Sequence, residues 1–107
     1  MSIYRGYRYQ EVGSLVVAKD GQPLSPKPSQ KLFNHSPDGF QWGYGGSGPA
    51  QLSLALLLDV TGDDELSVRL HQSFKREFVA GWKEKWEIST EEIRGWIERS
   101  KGLCPAL

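Results

Sequence analysis

The sequence contains a single cysteine, Cys104, and no excess of either charge, since 13 lysines and arginines balance 13 aspartates and glutamates. One cysteine excludes an internal disulfide, which favours a reducing, cytoplasmic environment. The balanced charge gives no electrostatic reason to expect nucleic acid or an anionic membrane as a partner. No apolar run reaches the roughly 18 residues of a membrane span, and we therefore expect a soluble protein.

The chain is also short. Its 107 residues fit one compact domain and are too few for a dinucleotide-binding domain joined to a substrate domain. Four tryptophans, four tyrosines and four phenylalanines can each bury roughly 150–250 Å², which is enough to build a small core. We expect a single domain over residues 1–107, with residues 102–107 as a frayed tail.

The first half of the sequence predicts short strands. Alternating aromatic residues predict a strand over Ile3–Tyr9, and the apolar residues 14–18 predict a second. Asp20 and Gly21 follow it and favour a hairpin turn of the type that needs positive φ. Residues 40–44 predict a further strand, with its three aromatic side chains on one face.

The second half predicts helices. A nearly continuous apolar run over residues 49–60 predicts a helix that is buried on several sides. Asp63 can cap a second helix, whose apolar stripe recurs every four residues. The stripe consists of Leu66, Leu70, Phe74 and Phe78. Residues 85–88 predict a last strand, and residues 89–92 match a capping box that starts a third helix. Strands followed by helices favour an α+β fold in which a small, mostly antiparallel sheet packs against about three helices.

A glycine-rich segment precedes the first predicted helix. Gly43, Gly45 and Gly48 have the spacing G-x-G-x-x-G, which resembles a dinucleotide-binding turn. The context differs from that motif, because a second helix follows where a parallel strand is needed, and Pro49 stands where a Walker A lysine would be. The segment either packs the chain tightly against the helix or binds an anion at the helix N-terminus. The candidate anion-binding residues are Gly43, Gly45, Gly46, Ser47 and Gly48.

Aromatic and basic residues offer a candidate contact surface. Exposed rings can anchor a protein partner, and rings among arginines can also stack on single-stranded nucleic acid. Cross-strand packing explains the same alternation near the N-terminus, so we do not expect nucleic acid. The candidate partner-binding residues are Tyr4, Arg5, Tyr7, Trp42, Tyr44 and Trp82. This hypothesis depends on these residues being exposed together.

The sequence has two histidines, His35 and His71. Neither belongs to an H-E-x-x-H motif or accompanies a cysteine pair, so we expect no metal site and no cofactor. His71 is expected on the polar side of its helix. His35 and Ser47 are a candidate base and nucleophile, because both lie near the glycine-rich segment in the sequence.

The central segment resembles a protein family. Residues 34–52 have the sequence NHSPDGFQWGYGGSGPAQL, which is similar to the GFEWGYGGSGPAQLALALL motif of a family of small bacterial, archaeal and phage proteins of unknown function. The similarity extends from residues 3–6 to residues 86–92 and so spans nearly the whole chain. Gln41 stands where the family tends to have glutamate. The resemblance implies no activity, and the family's scatter among mobile genetic elements suggests accessory or host–phage roles.

These patterns leave three hypotheses about function. No catalytic constellation is complete in the sequence, so the leading hypothesis is a non-catalytic binding or regulatory protein that acts through a protein partner or by self-association. The alternative is a phosphate- or nucleotide-binding module that uses the glycine-rich segment. The third is a small hydrolase or transferase that uses His35 and Ser47.

Overall fold

The structure, a computed structural model, describes residues 2–9 and 14–103, so Cys104 lies outside it. Within these residues, four strands and four helices follow one another along the chain. The strands are β1 (Ile3–Tyr9), β2 (Ser14–Lys19), β3 (Gln22–Pro23) and β4 (Lys85–Ser89). The helices are α1 (Lys27–Leu32), α2 (Ser47–Thr61), α3 (Asp64–Glu77) and α4 (Thr90–Leu103), and a 3₁₀ turn spans Val79–Gly81. The arrangement confirms the predicted α+β class.

The sheet is antiparallel, and its strands lie in the order β3-β2-β1-β4. In the central strand β1, Tyr4 lies opposite Lys19 of β2 and Ile88 of β4. Because side chains alternate along a strand, Tyr4 points into the core and Arg5 points to the exposed outer face of the sheet. The turn between β2 and β3 has the positive φ values that were predicted for it, 51° at Asp20 and 83° at Gly21.

Helix α2 lies at the centre of the core. Its side chains at Leu52, Leu56 and Leu57 are fully buried, which confirms that this helix is covered on several sides. The predicted stripe of α3 also packs into the core, as do three residues of α4. The α4 residues are Ile93, Trp96 and Ile97. The helices therefore cover one face of the sheet and leave the other open.

Hydrogen bonds confirm the predicted end of α2 and the predicted starts of α3 and α4, whereas α2 itself starts at Ser47, two residues before the predicted residue 49. The Gly62 N–H donates to the Leu58 carbonyl at the end of α2 (2.8 Å). The Asp63 side chain accepts from the Leu66 N–H and so caps α3 (3.0 Å). Before α4, Ser89 and Glu92 form the predicted capping box. Ser89 Oγ accepts from the Glu92 N–H (3.1 Å), and Glu92 Oε1 accepts from the Ser89 N–H (3.3 Å). Each cap satisfies a backbone group that the helix itself leaves unpaired.

Two segments differ from the sequence-based expectation. The strand predicted over residues 40–44 is wrong, because the chain there is irregular and turns at Gly43, where φ is 88°. The three aromatic side chains therefore do not share a face: Trp42 is buried and Tyr44 is exposed. Helix α1 was not predicted, and Pro28 is compatible with it because it lies in the first turn.

The packing of β1 against β4 predicts a large effect of a small substitution. A Cβ atom at Gly6 would lie 2.0 Å from the Trp86 Nε1, and the Trp86 ring is held in place by its stacking on Trp82. Gly6→Ala is expected to lower the free energy of unfolding by about 1–3 kcal/mol, measured by urea denaturation. Gly45→Ala is the matched control, because nothing lies within 4 Å of a Cβ at that position. Equal losses in the two variants would contradict the close contact between Gly6 and Trp86.

Candidate functional site

A cleft of about 410 Å³ opens between the glycine-rich segment and the residues before β4. Its walls include Arg8 of β1, Gly43 and Tyr44 of the glycine-rich segment, and Trp82 after the 3₁₀ turn. We refer to it as the Tyr44–Trp82 cleft. Its volume lies within the range of about 300–1,000 Å³ that is usual for ligand-binding pockets.

Two tryptophans that line the cleft, Trp42 and Trp82, pack against the buried Trp86. Trp82 stacks on Trp86 with 4.1 Å between ring centroids, and Trp42 meets Trp86 edge to face at 5.7 Å. The buried Trp42 donates its Nε1–H to the Lys83 carbonyl at 2.6 Å. Tyr44 is half exposed. The cleft therefore combines fixed rings with one accessible ring.

Arg8 joins the sheet to the wall of the cleft. Its guanidinium donates to Glu84 Oε1 and to the Trp42 carbonyl, each at 3.1 Å. The same group lies 5.1 Å from the Trp42 ring centroid, which is within the range of a cation–π contact. Because Glu84 neutralises the arginine, this wall of the cleft carries no large excess of charge.

The six candidate partner-binding residues do not form one patch. Tyr4 and Trp42 are buried, and the Tyr4 hydroxyl donates to Asp59 Oδ2 at 2.5 Å. Arg5 and Tyr7 lie on the outer face of the sheet, where Arg5 pairs with Glu87 at 2.6 Å. The remaining two, Tyr44 and Trp82, line the cleft. The set as a whole is therefore not exposed together, because strand alternation turns Tyr4 inward and the irregular chain before α2 buries Trp42.

Packing explains three positions of the glycine-rich segment. A Cβ at Gly46 would lie 2.3 Å from the Tyr44 ring. A Cβ at Gly48 would lie 2.5 Å from the Gln41 Cβ, and one at Gly43 would lie 3.1 Å from the Trp82 carbonyl oxygen. Gly46 precedes α2 without any side-chain cap. The Lys75 amine reaches the Gly45 carbonyl at 3.4 Å. Anion binding by this segment stays a prediction.

Gln51 holds the segment before the glycine-rich residues in place, and this role was not predicted from the sequence. Its side chain is completely buried in α2, where its Oε1 accepts from the backbone N–H groups of His35 (2.8 Å) and Ser36 (3.0 Å). Its Nε2 donates to Ser29 Oγ (2.9 Å) and to the Phe33 carbonyl (3.2 Å). The amide thus uses both of its donors and both acceptor positions. The sequence signal that could have identified Gln51 is an amide side chain within an otherwise apolar helix.

His35 and His71 form a pair, with 2.9 Å between their Nε2 atoms. His71 is only 4% exposed, so its expected position on a polar face is wrong. Its Nδ1 lies 2.6 Å from the Val68 carbonyl oxygen and donates to it. The structure gives no hydrogen bond between His35 and Ser47 in the part of the chain it describes, so the suggested base and nucleophile are not assembled.

Among residues 2–9 and 14–103, no three or more histidine, cysteine, aspartate or glutamate side chains gather closely enough to hold a metal ion. In the same residues, no helix combines the length and the apolar character needed to span a bilayer.

Residues 4–99 match the model of a family of unknown function, DUF6166. The matched region includes the Tyr44–Trp82 cleft, the glycine-rich segment, Gln51 and both histidines. No curated protein and no solved structure matches the chain.

The histidine pair predicts a dependence of stability on pH. Burial lowers the pKa of both side chains, and the neighbouring Lys75 lowers both further. The unfolded chain therefore binds protons more readily, since its histidines keep the usual pKa of about 6.5. The stabilisation is complete above that value and is lost as the pH falls through the lowered folded-state pKa values.

Urea denaturation from about pH 7.5 to about pH 5 checks this expectation. The wild-type free energy of unfolding should decrease across that range, and the His35→Asn/His71→Asn double variant should show a weaker dependence. Carboxylates titrate in both proteins, so the difference between the two slopes isolates the histidines. Identical slopes would contradict the lowered pKa values.

Proposed function

The chain belongs to a family of unknown function, and from its own geometry we propose that it is a non-catalytic binding protein whose contact surface is the Tyr44–Trp82 cleft. The observation that carries this proposal is the half-exposed Tyr44 ring on a cleft whose wall includes Trp82, which stacks on the buried Trp86. Tyrosine and tryptophan are the residues most enriched among binding hot spots. The fixed tryptophans lose little freedom on binding, which reduces the entropic cost of association.

The charge of the cleft favours a protein segment as its occupant. Arg8 is matched by Glu84, and Lys83 is the other basic residue of the walls. A polyanion would find little net attraction there, whereas an apolar or aromatic side chain flanked by peptide groups would meet both rings and polar groups. The partner in this proposal is another protein or a second copy of this chain.

The histidine geometry supports a non-catalytic role. The base that a hydrolase or transferase would require, His35, hydrogen bonds to His71 and lies in a segment held by Gln51. Ser47 starts α2 and makes no hydrogen bond with either histidine in the described part of the chain. The hypothesis of a hydrolase or transferase therefore lacks a serine that is hydrogen-bonded to a histidine base.

Removal of the exposed ring tests the proposed surface. Tyr44→Ala is expected to weaken association by about tenfold or more, which corresponds to about 1.4 kcal/mol or more. Affinity capture from a host lysate, quantified by mass spectrometry, measures binding to other proteins. Sedimentation equilibrium measures self-association. Val68→Ala is the matched control, because Val68 is an exposed apolar side chain of α3 that does not line the cleft.

The two measurements also separate the two kinds of partner. A protein captured by wild type and by Val68→Ala but lost with Tyr44→Ala supports a heterologous partner. A dimer lost only in Tyr44→Ala supports a second copy. Equal behaviour of all three proteins in both measurements would contradict binding through this cleft.

Anion binding at the start of α2 is a second candidate function. It is favoured by the Lys75 amine, which lies beside Gly45 just before a helix N-terminus that has no side-chain cap. The backbone N–H groups at such an end attract negative charge. Pro49 reduces the number of donors by one, since proline has no N–H.

A thermal-shift titration with inorganic phosphate, a mononucleotide and a dinucleotide tests this candidate. Binding should raise the wild-type Tm by several degrees at saturating ligand. Ser47→Pro removes one amide donor at a position that tolerates proline, and Lys75→Gln removes the charge. Both variants should respond less, while Lys31→Gln, which changes an exposed lysine of α1, should respond like wild type. The absence of a wild-type response to all three ligands would count against the site.

A further inference from the structure

His35 and His71 place two imidazole nitrogens in direct contact. The two residues belong to different elements, since His35 follows α1 and His71 lies in the middle of α3. Their Nε2 atoms are 2.9 Å apart, and their ring planes are tilted by 44°. The proposed cleft does not include either residue.

The hydrogen bonds of His71 leave its Nε2 available as an acceptor. Its Nδ1–H donates to the Val68 carbonyl one helical turn earlier, at 2.6 Å. In the neutral ring, a proton on Nδ1 leaves a lone pair on Nε2. Donation from one ring nitrogen to a backbone carbonyl is the arrangement that orients metal-binding histidines.

His35 is held in place from two sides. Its backbone N–H donates to Gln51 Oε1 at 2.8 Å, and its ring stacks on Phe33 with 4.2 Å between centroids. The residue is only partly buried. The pair therefore joins one buried ring to one partly exposed ring.

We propose that His35 and His71 together bind a divalent transition metal ion through their Nε2 atoms, with water completing the coordination. Two nitrogens 2.9 Å apart that each bond a metal at about 2.05 Å subtend an angle of about 90°. The hydrogen bond that the ion would replace sets this separation, so the distance shows that one ion can reach both nitrogens but does not select its geometry. Imidazole suits Cu²⁺, Ni²⁺ and Zn²⁺, and the general order of affinity places Cu²⁺ above the other two. The expected order of affinity is therefore Cu²⁺ first, with Zn²⁺ weaker.

Binding requires one proton to move. In the hydrogen-bonded pair, His35 donates its Nε2–H to His71, so that nitrogen must first become unprotonated. The proton shifts through solvent to Nδ1 of the same ring, which is the other tautomer of neutral histidine. Both rings remain neutral, and no proton is released overall.

Lys75 lies one helical turn after His71 and opposes a cation at this site. Its ammonium repels a divalent ion, and the repulsion decreases with distance and with salt. Removing that charge while both ligands stay in place should therefore strengthen binding. Lys75→Gln should therefore raise the affinity for the metal ion, whereas the loss of either histidine should lower it.

Titration with Cu²⁺ at pH 7.5 tests the proposal, with untagged full-length protein carrying Cys104→Ser so that the thiol cannot bind copper. Isothermal titration gives the affinity, and electron paramagnetic resonance shows whether two nitrogens bind the ion. His35→Gln and His71→Gln should each weaken Cu²⁺ binding by at least about tenfold. Even the loss of a residue that only hydrogen-bonds to a metal ligand lowers metal affinity by about 10–100-fold. Lys75→Gln should tighten it by about threefold to tenfold.

The outcomes are distinct. Two-nitrogen coordination in wild type, weakened by either histidine substitution and strengthened by Lys75→Gln, supports the site. If a histidine variant does not fold, the number of nitrogens in the wild-type spectrum and the Cu²⁺ affinity of Lys75→Gln still test the proposal. No Cu²⁺ binding, or binding without two coordinated nitrogens, would show that the pair is a hydrogen bond only.

Discussion

The buried amide of Gln51 fixes the position of the whole segment between the sheet and helix α2. It is enclosed by leucines, where an unsatisfied amide would cost about 1–3 kcal/mol. Its four partners all lie in residues 29–36, so the same hydrogen bonds that satisfy the amide attach α1 and the following turn to α2. The rest of the site depends on this attachment, since it sets where His35 lies and where the chain enters the glycine-rich segment.

Close backbone approach then shapes the cleft. Gly48 permits α2 to lie against Gln41, and Gly43 permits the chain to turn beneath the Trp82 carbonyl. The Gly43 N–H donates to the Val79 carbonyl at 3.0 Å, which joins the glycine-rich segment to the 3₁₀ turn. The glycines thus bring Tyr44 and Trp82 to one cleft. A segment that resembles a nucleotide-binding turn in its spacing has a demonstrable role in packing.

The two candidate sites are separate: the histidine pair includes His35 from the segment that Gln51 holds, whereas the cleft is lined by Gln41 and later residues together with Arg8. The cleft uses exposed and fixed rings with balanced charge, which suits a protein surface. The histidine pair offers two nitrogen ligands, which suits a transition metal held with few protein ligands, while the neighbouring Lys75 opposes the charge of the ion. Each site has its own residues, so the proposed binding function and the proposed metal site can be separated by substitution.

Local patterns in the sequence determined most of the secondary structure. The apolar run of α2, the stripe of α3, the caps at Asp63 and Ser89 and the turn at Asp20 each act within a few residues, so their physical causes are visible in the sequence. The tertiary structure decided the rest. His35 meets a residue 36 positions away, and Trp42 donates to a carbonyl 41 positions away. Burial also turned Trp42 inward and enclosed His71. Contacts between distant residues depend on how the elements pack, and no local periodicity records that packing.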